Sequence, residues 1–261
     1  MVRTVPGLLV MAMAGMMMLT GDQALAQEDD SLETVLASHA AAHGGLAAWK
    51  QVKSLEMKGV FEAFSEEAPF LTRRLRPNLY HFEHSVLGAP TVLAFDGSRT
   101  WVRSAAYGAP DGRVISEDAG RNVSEDAVFG CSLLSHQVEG VPLELVGLIR
   151  HEGIEYWELK ASPADGNAET WLLDRVTGLE HRRLNQTFDV FSGNIEMEME
   201  TYFLDFRQVG DIYLAFREER HFGTRYRVWQ ADSVVVNPSL DRDLFTAPKP
   251  PAEKKKDNSG S

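Results

Sequence analysis

From Ser54 onward the chain is governed by a period of two. Leu55, Met57, Gly59, Phe61 and Ala63 occupy one phase, with Glu56, Lys58 and Glu62 on the other, which is the pattern of a strand with one wet and one apolar face. Further strands are expected over 71–75, 79–87, 91–95 and 100–103. They continue over 143–148, 156–161, 169–174 and 180–186, and then over 196–207, 214–222 and 224–236. Asp96-Gly97 between two such runs is a strong hairpin signal, and Glu152-Gly153 and Thr177-Gly178 mark further turns. Glu196, Glu198 and Glu200 alternate with Met197 and Met199, so charge faces outward from a half-buried strand. Tight turns between successive strands describe one long antiparallel meander.

Helical spacing is confined to a few places. Ser31 to His43 reads as a helix capped by Ser31, with Leu32, Val35, Leu36 and His39 on one stripe and Gly44-Gly45 ending it. Leu46 to Val52 is a second helical turn carrying Trp49. Tyr107 to Glu125 reads as a loop, since Gly108, Pro110, Gly112 and Gly120 fall among acidic residues. Ser124 to Gln137 reads as a helix capped by Ser124, because Val128, Cys131 and Leu134 recur every three residues.

The first 26 residues are set apart as a signal peptide. Arg3 supplies the positive start, Val5 to Leu19 the apolar stretch, and Ala24-Leu25-Ala26 the small-x-small cleavage pattern. No cysteine stands at the cleavage point, so the expectation is a soluble, periplasmic protein without a lipid anchor. Residues 27–248 then form one domain, and 249–261, with Lys254-Lys255-Lys256, a disordered tail. A net charge of −12 disfavours nucleic acid as a partner. Cys131 is the sole cysteine, which excludes an intramolecular disulfide framework and reads as a small buried hydrophobe.

Few residues offer chemistry. His39 and His43 are four apart on a helix, a spacing that can bind zinc. The glutamate that would follow the first histidine of a metalloprotease helix is missing. They read as helix-surface and capping residues, and a metal-dependent hydrolase remains a remote alternative. His81 and His84 are three apart on a strand and point to opposite faces. His136, His151, His181 and His221 have no partner at useful spacing and read as surface residues. No nucleophile elbow, phosphate-cradling loop or dinucleotide fingerprint occurs, so neither enzymatic activity nor a cofactor is expected. Asp96 reads as a turn residue. Trp49, Trp101, Trp157, Trp171 and Trp229 read mainly as core.

Four segments carry a family resemblance. They are Arg76-Pro77-Asn78-Leu79-Tyr80 with the 94–102 hairpin, His43-Gly44-Gly45-Leu46-Ala47-Ala48-Trp49, residues 138–147 leading to Thr177-Gly178-Leu179, and Val234 to Asp241. In order and spacing the chain resembles the LolA/LolB-like periplasmic lipoprotein-carrier superfamily over most of residues 39–248. It is longer than the well-studied carrier, and its middle is more acidic.

The resemblance implies a mainly β (α+β) fold: a single curved antiparallel half-barrel sheet with an apolar concave face and short helices as a lid. It implies that Arg76 hydrogen-bonds lid backbone and that Tyr80 affects ligand handling. Phe61, Phe95 and Trp101 are the expected groove aromatics. The expected role is an exported carrier of a lipid or lipoprotein acyl chain, with an inner- or outer-membrane protein as a candidate partner. The alternative is a periplasmic sensor that binds a protein.

Overall fold

The computed structural model describes residues 30–129, 132–163, 167–188 and 196–249. The expected signal peptide, Cys131 and all but the first residue of the expected tail lie outside them. The body described below belongs to the unit that begins at Ser31.

Helix α1 (Leu32–Ala42) starts where the Ser31 hydroxyl accepts a hydrogen bond from the Thr34 amide. Gly44 and Gly45, both at φ 90°, turn the chain into α2 (Leu46–Gln51). Only glycine fits at 44, because a Cβ there would lie 2.0 Å from the Asp211 carbonyl oxygen.

The strands are β1 (Ser54–Ala63), β2 (Glu66–Leu75), β3 (Leu79–His84), β4 (Thr91–Phe95), β5 (Thr100–Ser104) and β6 (Ala109–Val114). They resume as β7 (Leu143–His151), β8 (Ile154–Ala161), β9 (Glu169–Asp174) and β10 (Glu180–Phe188). The last three are β11 (Glu196–Val209), β12 (Ile212–Phe222) and β13 (Arg225–Val236). All 13 lie in one sheet ordered β6-β5-β4-β3-β2-β1-β13-β12-β11-β10-β9-β8-β7. Every neighbouring pair is consecutive in sequence except β1 and β13. The sheet is curved and unclosed, and its free edges are β6 and β7. This is the LolA-like half-barrel.

That order fixes what covers the open side. The chain leaves the sheet at one free edge and re-enters it at the other, and the described residues of that connection, 115–129 and 132–142, cover the open side. They carry α3 (Glu117–Asp126) and α4 (Ser132–Glu139). Two sequence expectations are corrected here. Residues 107–125 are not a loop: they hold edge strand β6 and helix α3. Ser116, not Ser124, caps α3, accepting from the Ala119 amide, while Ser124 sits inside it and bonds the Arg121 carbonyl. Glu117 and Asp118, which looked like loop residues, occupy the helix's first turn, where its dipole favours negative charge. Strand β2 also starts at Glu66, earlier than expected. Pro69 is tolerated there because pairing to β3 begins only at Phe70.

The core falls into three clusters. The largest, around Phe61, Tyr80 and Phe82, lines the inner face of β1 to β5. A second joins α1 to β8 and β9 through Val35, Trp157, Leu159 and Trp171. A third, of Val92, Ala94, Trp101 and Ala247, lies on the opposite face, near the short 3-10 turn Arg242–Phe245.

Candidate functional site

Strand register assembles the concave wall. On β1 the phase Leu55, Met57, Phe61 faces inward, and Phe61 lies opposite Ala68 on one side and Trp229 on the other. Tyr80 stands between Arg74 and Phe95. The Phe61 ring meets Trp229 at 4.7 Å and Phe82 at 5.2 Å between centroids, spacings at which aromatic pairs gain beyond simple burial. Phe61, Tyr80 and Phe95 therefore share one apolar wall. Trp101 does not join them. Its partner across the sheet is Ala94, in the outward phase, and its indole N–H donates to the Phe245 carbonyl at 2.9 Å.

Arg76 sits at the rim. Its Nε donates to the Val52 carbonyl at 2.7 Å and one Nη to the Trp49 carbonyl at 3.1 Å. Its guanidinium stacks 4.3 Å from the centre of the Phe129 ring. One side chain thus holds the end of α2 and the segment that follows α3. Burial pulls its pKa below the usual value.

Helix α3 reaches both wings of the sheet, touching β3, β4 and β5 on one side and β10 on the other. It lies so close to β5 that a Cβ at Gly120 would be 2.4 Å from the Thr100 Cβ. Its C-terminal end presses two carboxylates onto the concave face. Asp126 accepts from both Nη atoms of Arg220, whose Nε donates to Glu218. The Asp126 backbone carbonyl accepts from Arg74 Nε at 2.9 Å. Burial alone would lower the Arg220 pKa, but Asp126 and Glu218 raise it well above the ordinary value. Glu125 accepts from Asn167 at 2.7 Å and Asn185 at 3.3 Å. Burial pushes its carboxyl up to about 7, with Glu169 and Asp126 adding to the rise against Arg183 and Arg220.

Beside this latch the inner face of β9 to β11 is polar. Glu169 accepts from the Trp171 indole at 2.7 Å and pairs with His136 at 2.9 Å. Arg183 Nε, Asn185 Oδ1, Thr187 Oγ1 and Thr201 Oγ1 are buried with no hydrogen-bond partner among the described residues. Buried polar groups normally have one.

The histidine expectations need correction. His39 and His43 are fully buried, and so is His136; only His151 is well exposed, while His181 and His221 are partly covered. His43 Nδ1 donates to the Tyr213 carbonyl at 2.9 Å and Nε2 meets Glu180 Oε2 at 2.6 Å. The His43 carbonyl in turn accepts from the Tyr213 amide and the Trp49 indole. Burial alone would lower the His43 pKa and raise that of Glu180, but their mutual attraction reverses both shifts. Burial holds His39 at about 4, hence neutral, and its Nδ1 donates to the Gly178 carbonyl. The His-Gly-Gly element is thus a clamp between α1, β10 and β12.

His39, His43 and Glu180 each place one ligand atom within 4.8 Å of the others, the set among the described residues that could hold a metal. Three protein ligands would suit zinc. An ion there would have to part the 2.6 Å His43–Glu180 contact.

Two adjoining cavities lie in the concave face. One, of about 80 Å³, runs from His43 and Glu180 past Trp49 and Met57 to Arg74 and Glu218. The other, of about 40 Å³, lies between Arg74, Tyr80, Arg220 and Trp229. Ligand sites commonly measure 300–1,000 Å³, so the state described is closed.

Several of these residues escaped sequence reasoning: Arg74, Glu125, Asp126, Glu180, Arg183 and Arg220. Strand parity was the signal that could have found some of them. Arg220 shares its phase with Phe216, Glu218 and Phe222, and Arg74 shares its phase with Phe70 and Thr72.

No protein-family model matches the sequence, and no curated protein matches it. Solved structures do match. A LolA superfamily protein from Nitrosomonas europaea superposes with a TM-score of 0.54 at 9% identity, over 82% of this chain and 96% of its own. A DUF1329 family protein from Desulfovibrio piger gives 0.53 at 10%, with the same coverage. A putative outer membrane lipoprotein-sorting protein domain from Vibrio parahaemolyticus gives 0.50 at 11%, over 81% and 94%. At these identities the likeness is one of fold. No helix among the described residues is long and apolar enough to cross a membrane.

Proposed function

We propose that this protein is an exported carrier, without catalytic activity, that holds a lipid or lipoprotein acyl chain against the concave wall beneath α3 and α4. The observation that carries the reading is the closed mouth. An aromatic wall inside an unclosed sheet is covered by the one connection that joins the sheet's two free edges. The cavities beneath it are smaller than an acyl chain needs, so loading must accompany movement of the cover. Burying a chain gains about 0.8 kcal/mol per methylene, enough to bind without any reacting group. Release then requires that affinity be lost in the opened state. One fold neighbour, a putative outer membrane lipoprotein-sorting protein domain, points the same way.

In this reading Phe61, Tyr80 and Phe95 contact the chain, Arg76 holds the closed state, and Trp101 supports the wall from its outer side. The test is native mass spectrometry of the protein purified from its own periplasm, with solvent extraction of anything bound. A stoichiometric acylated species is expected, and Arg76→Leu should speed its exchange. An empty protein that also takes up no fluorescent fatty acid would overturn the carrier reading in favour of a protein-binding sensor.

A further inference from the structure

Residues 125 and 126 give the lid an unusual inner surface. A cover over an apolar groove needs only apolar residues on its underside, yet α3 ends in two carboxylates turned onto the sheet. Glu125 meets the amides of Asn167 and Asn185, and what surrounds the pair on the sheet is cationic. Arg220, 5% exposed, projects from β12, Arg183, 6% exposed, from β10, and Arg74 from β2. Arg220 and Arg74 also line the smaller cavity together with Tyr80 and Trp229.

We infer that Asp126 occupies a seat for the anionic headgroup of the bound amphiphile, and that the headgroup takes its place on Arg220 when α3 lifts. This rests on the carrier reading and names its ligand class: an acyl chain ending in a carboxylate or phosphate.

Three observations support it. Arg220 divides its donors: Glu218 on the sheet itself holds Nε and one side of an Nη, while both Nη atoms also donate to Asp126 on the lid. Lifting the lid therefore exposes two parallel N–H groups, the fork that binds carboxylate or phosphate in bidentate fashion. Opening removes one of the two carboxylates that hold Arg220, and breaking a buried pair is costly, so the opened state favours an incoming anion over a neutral head. Next, the seat adjoins the aromatic wall, since Arg220 stacks 4.6 Å from the centre of the Trp229 ring, and Trp229 packs on Phe61. A head on Arg220 thus leaves its chain against Phe61 and Phe82. Finally, Arg183 Nε and Thr201 Oγ1, paired across β10 and β11, are buried without partners among the described residues, which leaves polar capacity beside the seat.

The experiment compares three ligands with the same chain: oleate, oleyl phosphate and oleyl alcohol, each titrated calorimetrically into the full-length mature protein. Expected is at least a tenfold preference for an anionic head over the alcohol. A tighter oleyl phosphate than oleate would identify phosphate as the head, and the reverse order carboxylate. Arg220→Gln should bring the ratio of oleate to alcohol affinity close to one, and Asp126→Asn should tighten oleate severalfold by removing its competitor.

Should Arg220→Gln fail to fold, Arg74→Gln takes its place, and it too should reduce the ratio severalfold. Equal affinities for oleate, oleyl phosphate and the alcohol in the unmodified protein would overturn the headgroup seat and leave the carrier intact. So would a ratio that survives the arginine substitution. Failure of all three ligands to bind would overturn both readings.

Discussion

Two of the buried ion pairs that hold helices to the sheet differ in how many other bonds share the load. At the α1 junction, His43 contacts Glu180 through Nε2, Tyr213 through Nδ1, and Tyr213 and Trp49 again through its own carbonyl. Gly44 seats the same turn against Asp211. At the lid, α3 is held by Asp126 on Arg220, by the Arg74 bond to its last carbonyl and by the Glu125 amide contacts. The first set joins elements that the register of β10 and β12 already fixes. The second joins the sheet to a segment attached only by its two ends. Equal chemistry thus yields a clamp in one place and a latch in the other. The lesson is that connectivity decides whether a buried pair can open while the fold survives.

The clamp should show the largest effect. Glu180→Ala strands the His43 charge in the interior, and removing one partner of a buried pair costs about 3–5 kcal/mol. For a domain of this size that is a fall in Tm of roughly 10 °C, measurable by calorimetry, with all probes unfolding together. The pH range of the pair follows from its shifts. The Glu180 contribution is present above its ordinary value of 4.5 and is lost as pH falls through its lowered folded value. The His43 contribution is present below 6.5 and is lost as pH rises through its raised folded value. A Tm change under 2 °C at pH 5.5 would show that the pair is no clamp.

The latch should give a smaller, local effect. Gly120→Val forces a side chain into the Thr100 contact and lifts α3 from β5; overpacking of this kind costs about 1–3 kcal/mol. Amide exchange in α3 should accelerate about tenfold or more, while exchange in α1 stays within twofold. Glu117→Gln, on the exposed first turn, serves as the control: losing its dipole contribution should accelerate α3 by no more than about fivefold and leave α1 unchanged. Equal acceleration in α1 and α3 would erase the distinction between clamp and latch.

The comparison also explains what could be read in advance. The inward phase of β1 was legible because a period of two sorts Leu55 and Phe61 from Glu56 and Glu62 whatever the partner strands are. The antiparallel meander followed from the turns, and the half-barrel from the family resemblance. The pairings inside it did not. Asp126 and Arg220 are 94 residues apart and His43 and Glu180 are 137 apart, and no spacing rule links them. His39 lay on the buried stripe of α1 all along, yet histidine near a helix end reads as surface until Glu180 arrives from β10. The start of α3 was missed because Glu117 and Asp118 were taken for loop residues, when they favour the helix start. Glu125 and Asp126 fell in the expected 124–137 helix, and nothing in their spacing showed that they face the sheet.

The smallest effect sharpens the comparison through pH alone. An ordinary glutamate titrates near 4.5, whereas burial holds Glu125 near 7, with Arg183 and Arg220 favouring its charged form and Glu169 and Asp126 opposing it. Asn167 and Asn185 donate to it from the facing segments. Between those two values the closed lid keeps a proton that an opened lid releases. Lid stability therefore falls as pH rises, by roughly 1.4 kcal/mol per pH unit at most, and levels off above about 7. Hydrogen exchange in α3, corrected for the intrinsic rate, should report a lower opening free energy at pH 6.5 than at pH 5. Glu125→Gln, which stays neutral, should flatten that slope. Over the same interval α1 should hold its protection, because both charges of the His43–Glu180 pair are then in place. A slope of equal size in α1, or none in α3, would mean that the lid's proton is not what separates the two junctions.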